Sequence, residues 1–205
     1  MIAVIDYGVG NLRSVEKALH FLGYEARVSG DKDFISKADG VILPGVGAFA
    51  DAMERLKKDG MDKMVHQLVE TGKPFLGICL GMQLLFDYSE EGGRVRGLGV
   101  LPGRIKRLPE NLALKVPHMG WNKLKAAGDN PLLRNLENDA YVYFVHSYYL
   151  EAENKEDVIA TTHYGIEFDV AVSRDNIFAT QFHPEKSGRT GLKILKNFAE
   201  QVISP

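Results

Sequence analysis

The chain has 205 residues, enough for one well-buried α/β domain. A formal charge of −2 gives no electrostatic reason to expect nucleic acid, and no apolar run nears the roughly 18 residues of a membrane span. Cys79 is the only cysteine, which excludes an intrachain disulfide and points to a reducing compartment, the cytoplasm.

The chain enters a strand at once, Ile2 to Ile5, with no basic stretch or cleavage site of a secretion signal. Asp6 to Asn11 is a turn with Gly8 and Gly10. Leu12, Val15, Leu19 and Leu22 then mark one face of a helix that Gly23 closes. Strands are expected over Glu25–Ser29 and Ala38–Leu43, the second ending in Pro44-Gly45-Val46-Gly47. Helices are expected over Phe49–Lys58 and Met61–Glu70, with Gly72 as the stop. Phe75, Leu76 and Ile78 form a short apolar run after Pro74, a buried strand. This alternation predicts a parallel sheet with helices on both faces.

After Glu91, glycines at 92, 93, 97, 99 and 103 cut the chain into short pieces. Strands are expected over Leu112–Lys125, Tyr141–Ser147, Val158–His163, Phe168–Ser173 and Ile177–Phe182, and a closing helix over Thr190–Ile203. The second half is richer in antiparallel hairpins, so the reading is one domain, 1–205, with a mixed sheet.

Cys79 stands where the Phe75–Ile78 strand meets the helical spacing of Leu80, Leu84 and Leu85, with Gly77 and Gly81 two residues to either side. This is a thiol form of the G-x-S-x-G nucleophile elbow. The elbow is expected to expose the sulfur at the sheet end and set it at a helix start, where thiolate is favoured. A lone cysteine is more often a small buried hydrophobe, but packing alone does not require the two glycines.

A nucleophilic cysteine needs a base and a group that orients the base. Of the six histidines, His20 and His66 fall on charged helical stretches, and His163 lies in a strand without an evident partner. His183 follows an apolar strand, and Glu185 stands two residues on. If Pro184 keeps that stretch extended, imidazole and carboxylate face the same way. An oxyanion hole would take the N–H of Leu80 and a donor from the 44–47 turn, at Val46 or Gly47. Gly8-x-Gly10 lacks the third glycine of a dinucleotide fingerprint, and His118, His146 and His163 are scattered without metal-ligand spacing. No cofactor and no metal is therefore expected. The segments Pro117–Asn122, with the only tryptophan, and Tyr141–Tyr149, dense in aromatics, suit either a core or a protein interface.

Gly77-Ile78-Cys79-Leu80-Gly81-Met82-Gln83 together with His183-Pro184-Glu185 resembles the class I (triad) glutamine amidotransferase family, over nearly the whole chain. Asp6–Leu12, Pro44–Phe49, Pro117–Asn122 and Phe144–Tyr148 resemble the branch that serves imidazole glycerol phosphate synthase in histidine biosynthesis, and the chain is about the size of that glutaminase subunit alone. The resemblance implies a flavodoxin-like three-layer sandwich with a mixed, mostly parallel sheet. It implies hydrolysis of L-glutamine to glutamate and ammonia, with Cys79 as nucleophile, His183 as base and Glu185 as its orienting group. Gly47, Gln83, Glu91, Ser147 and Tyr148 match positions that hold the glutamine. The implied partner is a (β/α)8 cyclase subunit, which uses the ammonia to make imidazole glycerol phosphate and aminoimidazole carboxamide ribotide from a phosphoribulosyl nucleotide. Asn11, Met119, Trp121, Tyr143 and Lys186 are the candidates for that interface.

Two rivals stand beside this reading. One is the glutaminase of another synthase, of the pyridoxal phosphate, anthranilate or purine pathway. The other is a non-enzymatic flavodoxin-like domain with a redox-sensing cysteine, which would not need His183 beside Glu185.

Overall fold

In a computed structural model, residues 1–110 and 114–203 are described. The first half alternates strand and helix. It runs β1 (Ile2–Ile5), α1 (Leu12–Phe21), β2 (Ala26–Ser29), α2 (Lys32–Lys37), β3 (Gly40–Gly45), α3 (Phe49–Lys58), α4 (Met61–Glu70), β4 (Phe75–Cys79) and α5 (Leu80–Leu84). The second half is mostly strands: β5 (Phe86–Ser89), β6 (Val95–Arg96), β7 (Leu101–Arg107), β8 (His118–Lys123), β9 (Lys125–Ala126), β10 (Tyr141–His146) and β11 (Tyr148–Ala152). It ends with β12 (Val158–Tyr164), β13 (Ile166–Arg174), β14 (Ile177–Thr180) and α6 (Gly188–Ile203).

Apolar spacing explains the helices that were expected. α3 buries Phe49, Ala52, Met53 and Leu56, and α4 buries Met61, Met64, Val65 and Leu68, one stripe each at helical spacing. The six-residue α2 was not expected. It owes its start to Asp31, whose Oδ1 accepts from the N–H groups of Asp33 at 2.9 Å and Phe34 at 3.4 Å. The strand expected from Leu112 begins at His118 in the structure, and residues 111–113 lie outside the described part.

The large sheet runs β2-β1-β3-β4-β14-β13-β11-β7-β5-β6, with β12 attached at β13 and β9 at β12. β2, β1, β3, β4 and β14 pair in parallel, the 2-1-3-4-5 order of flavodoxin-like folds. Antiparallel pairing begins at β13. β8 and β10 form a separate two-stranded ribbon. One core holds α1 and α6 against the sheet, through Val15, Leu19, Leu195 and Phe198 among others. The opposite core holds α2 to α5, through residues such as Ile35, Phe49, Val65 and Leu84. The result is a mixed sheet covered by helices on both faces. Among the described residues no helix is long and apolar enough to cross a membrane.

β3, β4 and β14 are neighbours with a common direction, so their C-terminal ends meet at one edge. Those ends carry the 44–47 turn, Cys79, and the segment leading to His183. The crevice outside the carboxyl ends of parallel strands is where such folds bind ligands.

Candidate active site

Cys79 has φ 54° and ψ −111°, a left-handed conformation that a residue with a Cβ rarely adopts. The turn is sharp because chain segments touch there. A Cβ on Gly81 would lie 1.8 Å from the Leu43 carbonyl oxygen, and one on Gly77 would lie 2.9 Å from the Cα of Met82. The two glycines thus let β3, β4 and α5 meet at the elbow. The expectation of an open sulfur needs correction: Cys79 is only 7% exposed and lines a cavity of about 440 Å³. The helix behind it is five residues long, so it is a single turn.

His183 follows β14 and lines the same cavity as Cys79. Its Nδ1 is 2.9 Å from Glu185 Oε1, with both side chains nearly fully buried. The local reason differs from the expected one. His183 is extended, but Pro184–Lys186 forms a 3-10 turn, which brings Glu185 round to the ring. Alternation along a strand therefore does not place the carboxylate. Asn11 Nδ2 also reaches Glu185 Oε1, at 3.4 Å, from the start of α1. The backbone of His183 is fixed in turn: its N–H donates to the Tyr143 carbonyl at 3.0 Å, and its carbonyl accepts from Ser187 Oγ at 2.7 Å.

His183 Nε2 is buried and makes no hydrogen bond among the described residues, and His183 lines the same cavity as Cys79. Burial pushes the imidazole towards the neutral form, but interactions with Cys79 and Glu185 outweigh it and raise the pKa to about 10. The ring is thus set up to hold a proton at neutral pH.

The other candidates divide cleanly. Val46, Gly47, Leu80, Gln83, Glu91, Ser147 and Tyr148 all line the cavity with Cys79 and His183. Asn11, Met119, Trp121, Tyr143 and Lys186 do not line it. Met119 and Trp121 are exposed on β8, at 62% and 56%, Lys186 is exposed beside Glu185, and Tyr143 is half-buried with its ring 6.2 Å from Trp121. Tyr143 and Asn11 therefore also touch the segment that holds the His183–Glu185 pair. Among the described residues no group of three or more His, Cys, Asp or Glu is placed to hold a metal.

Three residues that support the site were not singled out from sequence. Gln181 directly follows β14, and its Nε2 donates to Cys79 Sγ at 3.7 Å. Tyr7 is buried, and its hydroxyl donates to the Pro44 carbonyl at 3.0 Å. Burial, then the nearby charge of Cys79, raises the Tyr7 pKa above its usual range. Ser187 both caps the His183 carbonyl and accepts from the Tyr143 N–H at 2.9 Å. A polar residue at the end of an apolar strand was the available signal for Gln181; the other two contacts join distant parts of the chain.

The family description "Glutamine amidotransferase class-I" matches residues 3–202. The chain belongs to the class I glutamine amidotransferase family. Among curated relatives of this amidotransferase, the imidazole glycerol phosphate synthase subunit HisH of Caldanaerobacter subterraneus subsp. tengcongensis is 54% identical over 202 residues, covering 98% of both chains. That of Moorella thermoacetica is 55% identical over 201 residues, covering 98% of this chain and 95% of the relative. Among solved structures, a crystal structure of glutamine amidotransferase superposes with a TM-score of 0.76 at 21% identity, covering 98% and 99% of the two chains. PurLQS of Thermotoga maritima superposes at 0.77 with 20% identity, covering 97% of each. These two likenesses establish the amidotransferase fold.

Proposed function

We propose that this chain is the glutaminase subunit of an imidazole glycerol phosphate synthase, and that Cys79, His183 and Glu185 are its catalytic triad. The observation that carries the triad is the His183 Nδ1–Glu185 Oε1 bond at 2.9 Å, with Nε2 left free towards the cavity that holds Cys79. The carboxylate fixes the proton on Nδ1 and stabilises the imidazolium. The full-length likeness to HisH chains supports the choice of synthase.

In the reaction, the Cys79 thiolate attacks the side-chain amide carbon of glutamine. The carbonyl becomes an oxyanion that accepts from the Leu80 N–H and from an N–H of the Val46–Gly47 turn. His183 gives its proton to the departing nitrogen, the C–N bond breaks, and ammonia leaves a glutamyl thioester on Cys79. Neutral His183 then takes a proton from water, hydroxide adds to the thioester, and the C–S bond breaks. Glutamine plus water becomes glutamate plus ammonia, and the enzyme is restored.

The cavity offers a chemical reason for glutamine. Gln83 Nε2 donates to the Tyr148 carbonyl at 3.1 Å and to Gln181 Oε1 at 2.9 Å, so both of its N–H groups are committed. Only Oε1 remains, an acceptor suited to the substrate's ammonium group. Glu91 Oε2 accepts the Phe49 N–H at 2.9 Å, which leaves its second oxygen for the same ammonium. Ser147, which lines the same cavity, would supply a hydroxyl to the substrate carboxylate.

Ammonia passes to a (β/α)8 cyclase subunit docked over the strand ends, where Asn11, Met119, Trp121, Tyr143 and Lys186 meet it. The Val46–Gly47 turn is the control point. Val46 is exposed and Gly47 has φ +100°, so the peptides there are free of packing and can present either a carbonyl or an N–H to the oxyanion. The test mixes the chain with the cyclase subunit and its nucleotide. Cys79→Ala must abolish glutamine-supported synthesis and spare ammonia-supported synthesis. Loss of both would make Cys79 structural, and stimulation by a different synthase instead would move the chain to another branch.

A further inference from the structure

A line of buried and part-buried hydrogen bonds joins the β8–β10 ribbon to the cysteine, and the reaction just described makes no use of its outer half. His146 Nδ1 lies 2.8 Å from the Tyr148 carbonyl, which can only accept. Nδ1 therefore carries the proton and Nε2 accepts. His118 Nδ1 lies 3.0 Å from that Nε2 and must donate to it, which leaves His118 Nε2 to accept from Asn122 Nδ2 at 3.3 Å. One carbonyl thus sets the direction of the whole row.

Both rings are neutral, because burial pushes His118 to about 4 and His146 to about 3. Position is fixed as well as tautomer. The His118 ring stacks between Phe144, at 4.7 Å, and Tyr164, at 4.1 Å. A leucine would fill that slot without burying polar atoms, so packing alone gives no reason for two histidines.

At the inner end, the Tyr148 carbonyl accepts from Gln83 as well as from His146. Gln83 holds Gln181, and Gln181 donates to Cys79 Sγ at 3.7 Å. At the outer end, His118 and Asn122 alternate along β8 with Met119 and Trp121, which face solvent on the other side of the strand.

We propose that Asn122, His118 and His146 are positioning residues for Cys79, which transmit the setting of β8 and its exposed Met119–Trp121 face to the Gln83–Gln181 pair that touches the sulfur. The proposal rests on the glutaminase reading for its biological use, though the network itself can be probed without glutamine. Docking on Met119 and Trp121 would shift β8, and the row of fixed donors would carry that shift inward.

The test compares His118→Leu with His118→Asn. Leucine fills the aromatic slot but breaks the row, whereas the Asn side chain keeps a donor for His146. With the cyclase subunit and nucleotide bound, kcat for glutamine hydrolysis is expected to fall about tenfold in His118→Leu, more than KM rises, and to recover in His118→Asn. A packing role gives the reverse order, with leucine the better variant, and would overturn the proposal. The rate of Cys79 alkylation by iodoacetamide in the free chain reads the same network without substrate. It should change at least about threefold in His118→Leu and return in His118→Asn. Equal alkylation rates in wild type and both variants would also overturn it. An inert wild-type complex would sink the glutaminase reading, while the alkylation rates still decide the network. Should His118→Leu fail to fold, Asn122→Ala at the half-buried outer end takes its place, with a lowered stimulated kcat or a shifted alkylation rate expected and neither one contradicting the proposal.

Discussion

Gly45 and Cys79 are register partners at the ends of the adjacent parallel strands β3 and β4. The turn proposed to complete the oxyanion hole and the proposed nucleophile are thus fixed to each other by backbone ladder bonds. A Cβ on Gly45 would meet the Tyr7 hydroxyl at 2.6 Å and the Gly81 backbone nitrogen at 3.0 Å, so no larger residue fits between them.

That close approach can be probed by substitution at glycine. Gly81→Ala drives a methyl into the Leu43 carbonyl, a backbone atom that cannot step aside. It should cost about 3 kcal/mol or more. Gly72→Ala, at φ +76° with nothing within 4 Å, should cost only the left-handed strain of about 1–2 kcal/mol. Urea unfolding of the two variants measures the difference, and equal midpoints would remove the steric account of the elbow.

Tyr7 and Glu91 hold the two ends of the Pro44–Phe49 turn, through the Pro44 carbonyl and the Phe49 N–H. Tyr7→Phe removes one anchor and leaves a buried carbonyl unpaired, at a cost of about 1–3 kcal/mol. Partner-stimulated kcat should fall severalfold, with a smaller change in KM. Steady-state kinetics with wild-type values throughout would show that the turn needs no anchor at Pro44.

Stability should depend on pH through the buried histidine pair. His118 and His146 have folded pKa values pushed down to about 4 and about 3, against 6.5 unfolded. Above pH 6.5 both states are neutral and the stability is fully present. As pH falls below 6.5 the unfolded chain takes up protons that the folded chain refuses, so stability is lost down to about pH 4. Each group contributes a slope of up to about 1.4 kcal/mol per pH unit. His183 is shifted the other way, so its contribution is complete below 6.5 and does not offset this slope. Thermal melts of wild type and His118→Leu between pH 7 and 4.5 should diverge, with the variant the flatter curve; parallel curves would contradict the assignment.

Trp121 is exposed at 56% beside Met119, with Tyr143 packed edge-on to its ring. If the cyclase covers it, Trp121→Ala should weaken association by about 2 kcal/mol or more. Calorimetric titration of the two subunits checks this, and an unchanged affinity would place the interface elsewhere.

The sequence was most legible where short-range rules act. The stripes of α3 and α4, and the Gly77-x-Cys79-x-Gly81 spacing, are local patterns with one good structural solution. β5 to β7 were hidden because glycines interrupt any periodicity there; Gly97 and Gly103 lie so close to the Phe86 carbonyl and the Glu151 carbonyl that a Cβ would clash. The six residues of α2 carry too short an apolar pattern to stand out. His118 and His146 are 28 residues apart, and only the β8–β10 register makes them partners. An extended chain would set Glu185 beside His183, whereas the structure brings them together through a 3-10 turn.

In the proposed mechanism Cys79 is the nucleophile, served by His183, whose ring is held by Glu185. A diazoketone analogue of glutamine, which loses dinitrogen as it alkylates a thiolate, tests it most directly. Intact-mass and peptide analysis of the complex should find one adduct per chain, at Cys79. Labelling should be blocked by excess glutamine, slowed strongly in His183→Ala and less in Glu185→Gln. An adduct at another residue, or glutamine turnover by the complex that leaves Cys79 unlabelled, would contradict the account.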